Sequence, residues 1–202
     1  MVFSFSNILI QAAVNSLGPD AMAASAAAFA VEVNVYCVLN AFAQATTTFV
    51  SQNYGAGKPD RVRKTLWCCL GVVITIGLSM GLIIRAFGAP LMSLYNSDPE
   101  VIAMSRSYMS ICFWMFLSCC LMAPTLGLIN GVGNTMLNMI IALLDGVIAR
   151  IGLSLLFGRT LGMGLEGFWL GNGLAGYVSV ILAALYFFFG NWQDRRLLQK
   201  EP

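Results

Sequence analysis

Apolar residues fall along this chain in six runs, near 1–17, 22–52, 65–87, 101–130, 135–158 and 164–190. A helix crossing the roughly 30 Å hydrocarbon core of a bilayer needs about twenty such residues, so the runs predict six membrane-spanning helices. Turn residues separate them: Gly18-Pro19-Asp20, Asn53 through Pro59, Gly88-Ala89-Pro90 through Asn96-Ser97-Asp98-Pro99, Gly131-Val132-Gly133-Asn134, and Gly158 through Gly164. Connections this short predict an all-α membrane protein, a compact six-helix bundle over 1–190 followed by a tail over 191–202. The first run falls short of a bilayer at about 1.5 Å per residue. It also lacks the basic flank of a signal peptide, so residues upstream are expected to be missing.

Polar residues recur inside these runs at helical spacing. Ser4, Asn7, Gln11 and Asn15 share one face of the first helix, and Glu32, Tyr36, Asn40, Gln44, Thr47 and Ser51 occupy about a third of the circumference of the second. Stripes of this length predict a polar cavity between helices; cementing of helix pairs by Asn, Gln, Ser and Thr is the structural alternative. Glu32 and Asp145 are carboxylates inside spans, where an acid is expensive and turns toward the bundle interior. Asn134, Asn138 and Asp145 share a face. Arg150 stands five residues beyond Asp145, about 140° away around an α-helix, so each is expected to seek a partner on another helix. Gly77 and Gly81, and Gly167 and Gly171, form GxxxG pairs suited to close helix packing, and Pro124 predicts a kink in the fourth span.

Composition sharpens this picture chiefly by exclusion. With 58% hydrophobic and 10% charged residues and a mean hydropathy of +0.79, the chain cannot solvate the surface of a water-soluble domain. A net charge of +2 without a long basic run gives no reason to expect nucleic acid. Cys37, Cys68, Cys69, Cys112, Cys119 and Cys120 lie in apolar stretches without CxxC spacing, and there is no histidine. Neither a metal site, nor a disulfide framework, nor a cofactor is expected. Lys58, Arg61, Arg63 and Lys64, with Arg195, Arg196 and Lys200 of the tail, place the 53–64 connection and the C-terminus in the cytoplasm by the positive-inside rule. The opposite connections carry only Arg85 and Arg159, whereas Arg106 and Arg150 sit within helices.

The run Ala43-Gln44-Ala45-Thr46-Thr47-Thr48-Phe49-Val50-Ser51-Gln52-Asn53-Tyr54-Gly55-Ala56-Gly57-Lys58-Pro59 resembles the segment leading from the eighth helix into the cytoplasmic loop of MATE (multidrug and toxic compound extrusion) transporters. Tyr95-Asn96-Ser97-Asp98-Pro99-Glu100-Val101 and Asn130-Gly131-Val132-Gly133-Asn134-Thr135 are similar to later segments of that family. The resemblance covers essentially the whole chain. It implies the C-terminal lobe of a twelve-helix exporter of the plasma (inner) membrane, working with an N-terminal lobe absent here. It further implies proton- or sodium-coupled efflux of a small, cationic substrate. The carboxylates that one branch of the family carries in the seventh and tenth helices are replaced here, at Phe3 and near Cys119, and Asn134 stands for the usual aspartate of the turn. Glu32 falls where many relatives carry an acid, which makes it the first choice for a cavity carboxylate. The substrate- and ion-binding set is read as Glu32, Tyr36, Asn40, Gln44, Asn7, Gln11 and Asp145.

Two rival functions follow from the same residues. A lipid or lipid-linked sugar flippase would be expected to line its cavity with cations, of which only Arg106 and Arg150 are candidates, and a lone lobe could be a non-transporting fragment. An intramembrane enzyme is disfavoured, since the absence of histidine removes Ser-His and Cys-His nucleophiles and Asn134 cannot do acid–base work.

Overall fold

The structure, a computed structural model, describes residues 2–94 and 98–193. Side chains of Ser4 and Arg106, and all of Arg195, Arg196 and Lys200, lie outside the described residues. The helices are α1 (Val2–Asn15), α2 (Pro19–Gly55), α3 (Pro59–Ser93), α4 (Pro99–Gly131), α5 (Thr135–Leu143), α6 (Arg150–Leu155) and α7 (Gly164–Phe189). Two π-helical turns, Leu144–Ala149 and Leu156–Thr160, join α5 and α6 into one rod over Thr135–Thr160. Among the described residues six rods result, of which five are long and apolar enough to cross a membrane. The 14 residues of α1 rise only about 21 Å.

Three rods open in the same way. Pro19, Pro59 and Pro99 each occupy the first helical position of α2, α3 and α4, and each is followed by an acid, Asp20, Asp60 or Glu100. Proline lacks a donor that would be unpaired there anyway, its fixed φ suits the first turn, and the acid meets the positive end of the helix dipole. Just past the C-terminal ends of α2 and α4, Gly57 and Gly133 take φ of 67° and 73°, a left-handed conformation costly for any side chain.

The helices outrun the predicted spans. α2 has 37 residues, about 55 Å, well beyond the hydrocarbon thickness. The expected 53–64 loop is consequently only Ala56–Lys58, and Arg61, Arg63 and Lys64 stand on the first turns of α3. At the far end of α3, Gly88-Ala89-Pro90 does not stop the helix. The proline removes one backbone bond, and the chain bends at Phe87 (φ −109°, ψ 17°) and continues to Ser93.

α4 is the central helix, packed against α2, α3 and α7. Its core contains Met115, Phe116, Cys119, Cys120 and Ala123, with Leu39 of α2, Val73 of α3 and Trp169 of α7. Close approach to α2 depends on a pair that the sequence patterns passed over, Gly127 and Gly131. A Cβ at Gly127 would lie 2.8 Å from the Ala43 carbonyl oxygen, and one at Gly131 2.5 Å from Val50. Of the glycine pairs singled out in the sequence, Gly167 packs on the backbone of Phe157 and Gly171 on that of Ser154, while Gly77 faces the Cys120 side chain. Gly127→Ala is therefore expected to destabilise the bundle by about 1–3 kcal/mol through overpacking. Gly71→Ala, with nothing within 4 Å of the added methyl, should leave it unchanged or slightly stabilised. Melting temperatures of the two variants in detergent check this.

Beyond α7 the chain turns back. Trp192 is fully buried among Val50, Val62, Leu66, Leu128 and Val132, where it stacks on Phe187 at 5.7 Å and donates from Nε1 to the Phe187 carbonyl at 2.9 Å. This indole ties α2, α3, α4 and α7 together at the end that carries Arg61 and Lys64. Trp192→Phe, which loses the hydrogen bond and part of the packing, is expected to cost about 1–2 kcal/mol, read as a lower melting temperature.

Candidate functional site

Four rods bring polar side chains into the apolar bundle at one place. The π-turn is the local cause. Asp145 and Arg150, expected to diverge on an α-helix, are brought together because the Arg150 N–H points to the Asp145 carbonyl five residues back. Closing the ring over five residues absorbs the extra rotation, and Arg150 Nη2 lies 3.7 Å from Asp145 Oδ1. The expectation of partners on another helix also holds. On α7, Ser179 Oγ donates to Asp145 Oδ2 at 2.6 Å, and Asn172 Oδ1 accepts from Arg150 Nη1 at 2.9 Å. Asn172 and Ser179 are seven apart, two turns along one face of α7. Asp145 is completely buried, and its Oδ1 accepts no hydrogen bond, so the guanidinium is what balances that oxygen.

The cluster continues into α2 and α4. Tyr36 lies beside Cys119 of α4, and both stand within reach of the charges of Glu32 and Arg150. Glu32 itself is 3% exposed, the burial expected of a span carboxylate that faces inward. Beside Cys119, Ser118 Oγ donates to the carbonyls of Met115 at 2.8 Å and Gly173 at 3.3 Å, which fixes α7 against α4.

The predicted stripe on α2 divides. Residues four apart advance about 40° around a helix at each step, so from Glu32 to Gln44 the row turns by about 120°. Glu32 is buried, Tyr36 half-buried, and Asn40 and Gln44 exposed on the outside of the lobe. Farther along, Thr47 and Ser51 bond to carbonyls of their own helix, Ala43 at 2.9 Å and Thr48 at 3.0 Å, as the structural alternative predicts. In α1, Gln11 Nε2 donates to Asn15 Oδ1 at 2.8 Å and Asn7 is exposed; the structure does not join them to the buried cluster. Asn134 caps α5 by accepting from the Leu137 amide at 3.3 Å, a role that asparagine and aspartate fill equally well. Asn172 and Ser179 went unread in the sequence. The amide of Gly171-Asn172-Gly173 inside an apolar run was the available signal.

Among the described residues no group of His, Cys, Asp and Glu could hold a metal ion. The arrangement instead suits charge and proton handling in a low-dielectric interior. A family model described as MatE matches residues 1–156 of the 202. The chain belongs to the MatE family. It is 28% identical over 202 residues to the probable multidrug resistance protein NorM of Thermotoga maritima, an alignment covering 99% of this chain and 42% of that protein. Two solved structures share the fold. One, described as the outward-facing conformation of a multidrug resistance MATE family transporter of the MOP superfamily, matches with a TM-score of 0.87 at 19% identity, covering 97% of this chain and 44% of the other. An inward-facing conformation described in the same terms gives 0.86 at 18% identity, over 94% and 43%. The MatE chain thus spans less than half the length of the relatives that it matches. Membership places it in a family of multi-pass membrane transporters that includes multidrug resistance proteins, and the relatives named here are not enzymes.

Proposed function

We propose that this MatE chain works as one lobe of a proton- or sodium-coupled antiporter that exports small organic cations across the plasma membrane, together with a second six-helix lobe and with its C-terminus in the cytoplasm. The observation that carries the proposal is Glu32, a carboxylate 3% exposed within a span and set beside Tyr36, Cys119 and the charge of Arg150. A buried carboxylate can hold either a proton or a cation, and exchange between the two is the elementary step of antiport. Asn40 and Gln44, exposed farther along α2, offer neutral donors and acceptors to a substrate held between the two lobes. The lobe resembles outward- and inward-facing structures almost equally, which supports its moving as a rigid unit in alternating access.

Arg150 bears on the flippase reading. Its guanidinium is engaged by Asn172 and Asp145, an arrangement that favours structural balance over capture of an anionic headgroup in the cavity. The test is transport by the complete transporter in proteoliposomes under an imposed proton or sodium gradient. Accumulation of a cationic dye that collapses with one of the two gradients supports antiport. Gradient-independent movement of labelled lipid, with no dye transport, would replace antiport by flipping.

A further inference from the structure

The hairpin of α2 and α3 carries a groove that the transport proposal does not use. We infer that it holds an anionic phospholipid of the bilayer, with the phosphate at Arg61 and Lys64 and an acyl chain along its apolar floor. The groove has a volume of about 440 Å³ and lies between Phe49 and Asn53 of α2 and Arg61, Lys64, Thr65 and Cys68 of α3. Spacings of three and four put the α3 residues on one helix face, and Phe49 and Asn53 are one turn apart on the facing helix. Chemistry is graded along that face. Asn53 and Arg61 stand three residues from the Ala56–Lys58 turn, Lys64 six, Phe49 and Thr65 seven, and Cys68 ten. Arg61 to Cys68 is about 10.5 Å of helix rise, which fits within one leaflet of about 15 Å. The groove therefore changes from charged to apolar in the order, and over the distance, that a phospholipid does along its length.

Charge selects the class of lipid. Arg61 and Lys64 are both exposed, and neither has a carboxylate within ion-pair distance among the described residues. Asp60, the acid of this segment, does not line the groove. Thr65 Oγ1 donates to the Arg61 carbonyl at 2.8 Å and Asn53 Nδ2 to the Phe49 carbonyl at 2.8 Å, so the two cations carry anion recognition. A zwitterionic headgroup brings a quaternary ammonium against two unbalanced cations, and an anionic one does not. Basic pockets between spans at the membrane surface recognise anionic headgroups for this reason. Trp192 holds α2 and α3 together at the same end, packed on Val50, Val62 and Leu66, so the groove has a fixed floor.

The experiment uses the complete transporter carrying this chain, purified in a neutral detergent and titrated with phosphatidylglycerol or phosphatidylcholine. Bound lipid is read by native mass spectrometry. The wild type is expected to retain phosphatidylglycerol with about a tenfold preference that falls as salt is raised. The double variant Arg61→Gln/Lys64→Gln should bring the ratio near one, each single change should lower it in part, and Arg159→Gln at the opposite end should leave it alone. Since both side chains are exposed, the melting temperature should be kept; if the double variant fails to fold, the single variants and the salt titration decide. Glycerol phosphate at equal concentration should not displace the lipid, because it lacks the chain. Equal retention of the two lipids, a preference that survives the double variant, or displacement by glycerol phosphate would each overturn the inference, the last by making the groove a free-anion site.

Discussion

Arg150→Ala is expected to destabilise the bundle by about 3–5 kcal/mol, the cost of leaving one member of a buried ion pair behind. Asp145 would lose the guanidinium that balances its Oδ1, and Asn172 on α7 would lose its donor. The loss should appear as a sharp fall in folded, membrane-inserted protein and in the melting temperature of what remains. Neutralising both partners is a different matter. Asp145→Asn/Arg150→Gln removes the stranded charge and keeps hydrogen-bonding capacity toward Ser179 and Asn172, so most of the stability should return. A melting temperature for Arg150→Ala equal to that of the wild type would show that the pair contributes nothing. Equal losses in the single and double variants would point to packing of the arginine stem instead.

How much of this was legible beforehand depends on the scale of the feature. Helix number and order follow from apolar run length and from proline and glycine positions, because a bilayer leaves backbone groups no partner outside a helix. The orientation of Glu32 and Asp145 toward the interior was legible for the same reason of solvation. Helix ends were less so. Pro59 and Pro90 look alike as turn signals, yet one opens α3 and the other bends it, and the difference lies in whether the donor that proline lacks would have been used. The π-turn had no local signal at all. Whether a carbonyl bonds to the fourth or the fifth residue depends on small energy differences that packing decides, here through Ser179 and Asn172 from a helix more than twenty residues away. Once that ring size changes, the geometry of Asp145 and Arg150 reverses. The stripe on α2 was legible as a face, but the sequence does not say that a third of a circumference reaches from the core to the outside of the lobe. Asn40 and Gln44 are exposed for that reason, while Glu32 is buried.

Glu32→Gln in the complete transporter is the measurement closest to the central claim, that a buried carboxylate of this lobe handles the transported or coupling cation. Glutamine keeps the size and most of the hydrogen-bonding capacity of the side chain but cannot carry charge or release a proton. Gradient-driven transport of cationic dyes should therefore fall about tenfold or more, the factor that roughly 1.4 kcal/mol of lost stabilisation produces. Insertion and melting temperature should stay near wild type, because the neutral side chain is easier to bury than the charged one. Transport must be counted per inserted molecule in proteoliposomes, under both proton and sodium gradients. Loss of dye transport with normal insertion is the predicted result. Unchanged transport of several cations by the Gln variant would contradict the account and return Glu32 to a purely structural role in packing α2 against the bundle.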